Sequence, residues 1–417
     1  MINKNINIYF FTLFSLIPLS ILIGPSVSLI NLIIIDLSFL IFLFFIKDFS
    51  FLKSKALKYL LLFYLYLVFN SIISLNTELG IYRNFGFFRI IIFFVALNYF
   101  FNQRLFNDKL ILIWFLIISV VVFDIYFEKV NGSNLLGYPV LNSDGESYYG
   151  KRIVSFFKDE PIVGGYINAF LLIIVGFLLD KKKKLGKLIL FISVILFISI
   201  FITGERANSI KACLGLFSFF IFLREFNLKI KILFISTILI FLSIIIYKSD
   251  YFKLRYISQI KSSLNNNSIY LNIYKSGFQV FKNYPLFGVG AKNYRYETCE
   301  NPNQRSEEVT KEYMCTTHPH QIYVEFLSEH GLVGTLILFF LFYKLIFSKI
   351  FFLIKHGNYV QLGSLIYLLN VFLPLIPSGA FFNDYSLTLF AINLSILYSS
   401  NPNLNIFSKN NGKIKYQ

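Results

Sequence analysis

The sequence predicts an all-α polytopic membrane protein with about 12 transmembrane helices and a large external loop that carries short helices. Of its 417 residues, 56% are hydrophobic and only 15% are charged, and the mean hydropathy is +0.65. Soluble domains do not reach these values. Apolar runs of fifteen to twenty-one residues recur from end to end, of the length needed to cross about 30 Å of hydrocarbon as a helix. Lys and Arg gather in alternate short loops, as positive-inside topology requires.

Taken in order, the runs are 6–23, 27–46, 56–75, 85–101, 110–127, 161–179, 188–203, 208–223, 232–247, 331–347, 362–382 and 385–399. The basic loops "KDFSFLKSK" (47–55), "NQRLFNDK" (102–109), "DKKKKLGK" (180–187) and "REFNLKIK" (224–231), the stretch from Lys344 to His356, and the tail "KNNGKIKYQ" all fall on one side. That side is cytoplasmic, with both termini, and loops 128–160 and 248–330 lie outside. Lys4 precedes the first run but no small-residue cleavage site follows it, so the run reads as a retained span. The chain, 1–417, reads as a single transmembrane domain, without solenoid repeats or long linkers.

The net charge of +17 does not imply nucleic acid, because there is no soluble basic module to bind it. The 52 Phe and 27 Tyr accompany many Ile, Lys and Asn. This looks like AT-rich coding and carries no functional weight.

Unusual polar residues converge on the external side. In "YYGKRIVSFFKDEPIVGGY" (148–166), Lys151, Arg152, Lys158, Asp159 and Glu160 precede a span; Pro161 fits the first turn of that helix and Asp159 or Glu160 its N-terminal end. "TGERANS" (203–209) is a tight hairpin with Glu205 and Arg206 at its tip, where the two either pair with each other or Arg206 is left for a phosphate. The long loop opens with Tyr270, Tyr274, Gly277, Phe278 and Phe281 at helical spacing, an amphipathic helix. "PLFGVGAKNYR" (285–295) then breaks it, and Gly288 and Gly290 allow turns that gather amides, Lys292 and Arg295, either as a structural turn or as an anion site.

Cys299 and Cys315 suit a disulfide on the oxidising side, closing a loop worth about 3 kcal/mol in the chain-entropy model. Cys213 lies inside a span and reads as packing. Zinc on the two Cys with His318 and His320 is disfavoured, since His-x-His is a poor helical pair and the Cys spacing is no knuckle. In "THPHQIYVEFLSEHGLVGT" (317–335), Pro319 fits a first helical turn, so a short helix runs from near His318 to Gly331. Its field favours neutral imidazole at His320, the form that accepts a proton. Glu325 and Glu329 read either as orienting that base or, more simply, as solvating the helix, and Gly331 and Gly334 let the following span pack closely.

His320-Gln321, nine residues, then Gly331-Leu332-Val333-Gly334-Thr335 fits H-[NSQ]-x9-G-x-x-G-[TV], and in this the chain resembles the bacterial O-antigen ligase family, related to the O-antigen polymerases. "PLFGVGAKNYR" is similar to the family's glycine-containing turn, with Ala291 in place of a common proline. "TGERA" resembles its arginine hairpin, and "RIVSFFKDEPIVGGY" a stretch found in many members. The likeness covers about 148–347.

The resemblance implies a multi-pass glycosyltransferase of the bacterial inner membrane, with a large periplasmic loop and its active site facing the periplasm. It implies transfer of a glycan from undecaprenyl pyrophosphate to an acceptor sugar hydroxyl, such as one on lipid A core, with inversion and without metal or other cofactor. His320 takes the place of the essential histidine. Arg206 takes that of a pyrophosphate-binding arginine, with Arg295 or Lys292 in the long loop and Arg152 in support. Two other readings remain: a polymerase that joins repeat units on the lipid carrier, and a polysaccharide transporter or flippase, against which stands the gathering of polar residues at helix ends.

Overall fold

The computed structural model describes residues 4–101, 104–138, 152–158, 160–181, 185–223, 226–263, 268–300 and 313–408. Lys151, Asp159, much of loop 128–160, residues 301–312 and the basic tail lie outside them. The helices are α1 (Lys4–Ser15), α2 (Ile17–Ile23), α3 (Pro25–Ile46), α4 (Lys55–Ile72), α5 (Thr77–Gly86), α6 (Phe88–Phe101), α7 (Arg104–Asn131), α8 (Val163–Lys181), α9 (Gly186–Ile202), α10 (Arg206–Phe222) and α11 (Leu228–Lys248). After them come α12 (Ile269–Asn283), α13 (Ile322–Leu345), α14 (Tyr359–Val371) and α15 (Asp384–Ser399), with shorter turns between.

Among the described residues, eight segments are long and apolar enough to cross a membrane: Lys4–Ile23, Pro25–Ile46, Lys55–Ile72, Thr77–Phe101, Asn107–Asn131, Val163–Lys181, Leu228–Lys248 and Ile322–His356. Gly186–Ile202 and Tyr359–Val371 are apolar but shorter. α8 lies at the centre. It is apolar all round, which suits a helix surrounded by others, and Tyr166, Ile167, Phe170 and Ile174 are fully buried. It meets α14 at Gly176 and Gly363, where a Cβ on either would overlap the other helix's backbone; small residues permit such backbone approach in membranes.

Two apolar runs differ from their expected form. The run 362–382 stops being helical at Val371, and residues 372–383 are irregular. Pro374 and Pro377 cannot donate to a helical ladder and disfavour helix in the residue before each. The run 331–347 begins earlier, at Ile322, so the expected short helix and the following span form one element with a break at Gly331 (φ 63°, ψ −169°).

That break is satisfied from elsewhere in the chain. The amides of Val289 and Gly290 donate to the carbonyls of Ser328 and Glu329 (both 2.9 Å), and the amides of Leu332 and Val333 donate to Pro285 (2.8 Å) and Leu286 (3.0 Å). Four backbone groups that a broken helix would leave bare in an apolar setting are thereby paired. Gly331 has a positive φ, and a Cβ there would collide with the Leu286 carbonyl. Gly331→Ala is therefore expected to destabilise the protein by at least about 2 kcal/mol, read as an earlier thermal unfolding in detergent; an unchanged midpoint would show the seam to be dispensable.

One end of the bundle gathers the starts of α8, α13 and α15 and several connecting segments. Leu75 N–H donates to Val289 O (3.0 Å), Ile153 N–H to Thr203 O (3.3 Å) and Ser378 N–H to His320 O (2.9 Å), while the Tyr385 hydroxyl donates to Ile162 O (2.8 Å). The candidate site is built at this end.

Candidate active site

The arginine hairpin is held from below by its own glutamate. The Glu205 carboxylate accepts the amides of Gly164 (2.5 Å) and Gly165 (3.2 Å) and the Asn208 side-chain amide (2.6 Å). It is thus the carboxylate at the N-terminus of α8, the position expected for Asp159 or Glu160. The helix begins at Val163, leaving Pro161 outside its first turn. Burial pushes the Glu205 carboxyl up to about 7, against those hydrogen bonds and the nearby Arg152 charge. Since Glu205 is engaged in this way, it makes no ion pair with Arg206, and among the described residues no other carboxylate does either.

Three arginines stand together here. Arg255 is buried, and its guanidinium donates to Gly204 O (2.6 Å) and Gln259 Oε1 (2.7 Å). Its pKa is lowered, first by burial and then by the like charges of Arg152 and Arg206. Arg255 sits in a π-helical turn, Leu254–Ser258, a local distortion common at functional sites. The turn is clamped onto the hairpin by Tyr256, which stacks on Phe201 at 4.3 Å and donates to its carbonyl (2.9 Å). Arg152 is brought alongside by the segment 153–155, whose Val154 and Ser155 amides donate to Glu128 (3.2 and 2.7 Å) and whose Ser155 hydroxyl bonds Asp124. Like charges held this close repel one another, and an anion bound among them would offset that cost.

His320 lies just before α13. The helix starts at Ile322, with Gln321 as its N-cap, whose side-chain oxygen accepts Val324 N–H (2.9 Å). Pro319 and His318 are therefore outside the helix rather than in its first turn, and His320 itself adopts φ 54°. Its ring stands 4.0 Å from that of His318 and 6.3 Å from that of Tyr270. Burial lowers the His320 pKa; burial and the adjacent His320 push His318 down to about 4. Both imidazoles are thus held in the uncharged form.

The glycine turn does hold an anion, but one from its own chain. Gly288 (φ 69°), Gly290 (φ 94°) and Lys292 (φ 61°) curl the backbone so that the amides of Lys292 and Tyr294 meet the Glu329 carboxylate. At Gly290 a Cβ would overlap Ser74. Glu329 is 3% exposed and lies 3.8 Å from Arg83, and Glu325, 1% exposed, accepts the Phe381 amide with both oxygens (3.1 and 3.0 Å). Neither carboxylate solvates the helix, as the sequence suggested. Arg295 pairs with Glu300 at 3.4 Å, and no hydrogen bond or ion pair among the described residues joins Arg295 or Lys292 to Arg206. Gly334 lies beneath the Tyr66 hydroxyl with no room for a Cβ. α12 buries Ile273, Ser276, Gly277 and Val280, with Gly277 against Val324 of α13 and Val280 beside Val289 and Tyr294, a face rotated from the expected one that leaves Phe278 47% exposed. Cys299 and Cys315 form a disulfide with Cα atoms 4.9 Å apart.

A cavity of about 200 Å³ lies between the hairpin and the histidine segment. Asn208 and Gly165 line it on one side, Ile322 and Ser378 on the other. Ser378 is the residue whose amide holds the His320 carbonyl, and Asn208 is the partner of Glu205. The cavity thus opens between residues that adjoin the arginine hairpin and residues that adjoin His320, although neither His320 nor any of the three arginines is among its lining residues.

Sequence reasoning missed Arg255, Arg83 and the segment 372–383. Phe252 and Tyr256, four apart around Arg255, were a signal for a helix docked by its aromatic face. Pro374, Pro377 and Gly379 inside an apolar run were a signal for irregular backbone lining a cavity. Residues 191–339 match the model of a family described as O-antigen ligase. The match runs from α9 into α13 and so takes in Arg206, Arg255, the glycine turn and His320. No curated protein matches the chain.

Proposed function

From the O-antigen ligase domain at residues 191–339, which supports a place in the O-antigen ligase and polymerase family, we propose that this protein is a glycosyltransferase of the bacterial inner membrane. It moves a glycan from undecaprenyl pyrophosphate to a sugar hydroxyl of lipid A core on the periplasmic face. In this reading the chain crosses the membrane twelve times, with both termini in the cytoplasm.

The proposal is supported by the gathering of Arg152, Arg206 and Arg255 at the end of the bundle where His320 also lies, with a cavity between the residues that adjoin each. A sugar pyrophosphate brings its own leaving group, so the protein has to compensate departing negative charge and align the acceptor. The three guanidinium groups bind the pyrophosphate, and Arg255 takes the role that the sequence suggested for Lys292 or Arg295, which lie with other partners. A neutral His320 nitrogen takes the acceptor hydroxyl proton as that oxygen attacks the anomeric carbon. The new C–O bond forms as the bond to pyrophosphate breaks, the electron pair leaves on the phosphate oxygen, and the anomeric carbon inverts.

A deletion strain tests the proposal. Loss of ligation leaves long glycans on the undecaprenyl carrier and none on lipid A core. Single repeats attached to lipid A core would instead show a polymerase, and an unaltered profile would remove the glycan role altogether.

A further inference from the structure

The floor of the cavity carries a charge that the transfer chemistry does not use. α10 presents Asn208 and Lys211, three residues apart, on one face toward the cavity. Lys211 lies about 7.5 Å further along the helix than Arg206, and Asn168, Tyr367 and Ser378 line the same space. Among the described residues that line it, none is acidic. Among the described residues no carboxylate pairs with Lys211, and its ammonium group makes no hydrogen bond. The Ser378 hydroxyl is buried and likewise has no partner.

This combination is specific. An ammonium group placed deep in a bundle is costly unless an opposite charge meets it. Amides and hydroxyls around an otherwise neutral hollow match the hydroxyl pattern of a sugar, and the volume, that of roughly seven waters, is the size of one sugar ring. The three arginines already answer a pyrophosphate, so the anion that reaches Lys211 belongs to a different group.

We propose that the cavity is a subsite for an acidic sugar, with Lys211 binding the carboxylate of a hexuronic acid unit in a reacting glycan, and Asn168, Asn208 and Ser378 its hydroxyls. The assignment deepens the glycosyltransferase reading and rests on it for the identity of the ligand as part of a glycan; the binding site itself is testable without turnover.

The test uses the purified full chain in detergent, with methyl hexuronide, the matching neutral methyl hexoside and inorganic pyrophosphate as probes of binding by saturation-transfer NMR. The wild type is expected to bind the hexuronide about tenfold more tightly than the hexoside, as a charge-assisted contact implies. Lys211→Met is expected to abolish that preference and leave pyrophosphate binding intact, while Lys211→Arg keeps the preference. Lys211→Gln serves in place of Lys211→Met should the latter fail to elute as a monodisperse protein. Equal binding of the two sugars by the wild type, or an unchanged preference in Lys211→Met, overturns the proposal. So does loss of pyrophosphate binding in Lys211→Met with the sugar preference unchanged, which would make Lys211 a phosphate ligand. Absence of glycan transfer with the sugar preference intact would count against the transferase reading alone.

Discussion

Replacing His320 with alanine is expected to lower glycan transfer by about two to four orders of magnitude, the range associated with loss of a general base. The measurement is transfer by the purified variant from lipid-linked glycan to acceptor, with donor binding measured alongside. His320 lies before the N-cap of α13, and its ring bonds the backbone of Ser378 rather than the arginine cluster, so the loss should appear in kcat with donor affinity preserved. Activity within about threefold of wild type would remove the proposed base. The pH profile gives a second reading. The neutral imidazole is the active form, and burial lowers its pKa from 6.5, so its contribution holds at neutral pH and declines as pH falls through a midpoint below 6.5. An acid limb assigned to His320 at or above 6.5 would contradict the burial argument.

Arg206→Lys is expected to fail almost as badly as Arg206→Ala, with transfer reduced by about two to three orders of magnitude in both. Arg152 and Arg255 already supply positive charge beside the hairpin, so a further point charge is worth less than a planar donor that grips two phosphate oxygens at once. Lysine keeps the charge and loses the fork. Transfer by the lysine variant at the wild-type rate would reduce Arg206 to a background cation. Since Glu205 is already held by Gly164, Gly165 and Asn208, neither substitution strands a buried carboxylate, and thermal stability is expected to change little.

The parts of this molecule that were legible in its sequence are those decided locally. Length of apolar run and loop charge located the membrane-crossing segments such as α3 and α8, and the place of Cys299 and Cys315 in a loop on the oxidising side was enough to suggest their bond. Positive φ at Gly288 and Gly290 followed from residue type. The misreadings all concern long-range partners. Glu325 and Glu329 look like solvent-facing charges on a helix because their partners, the Phe381 amide, Arg83 and the glycine turn, are distant in the chain. Glu205 looked like a partner for Arg206 because adjacency is visible and the start of α8 is not. Residues 372–383 read as membrane helix because leucine and phenylalanine outweighed two prolines in a count of hydropathy, although the prolines decide backbone pairing. Arg255 carried no motif and became evident only when its turn was seen stacked on the hairpin.

The exchange of backbone bonds between residues 285–290 and 328–333 has a corollary. With both edges of this short suture fixed, the polypeptide between Arg295 and Tyr313 is anchored at either side, and its length is only weakly coupled to stability, since doubling a closed segment costs about 0.6 kcal/mol. Insertions or deletions between Arg295 and Tyr313 are therefore expected to cost little stability and to leave the paired segments on either side in place.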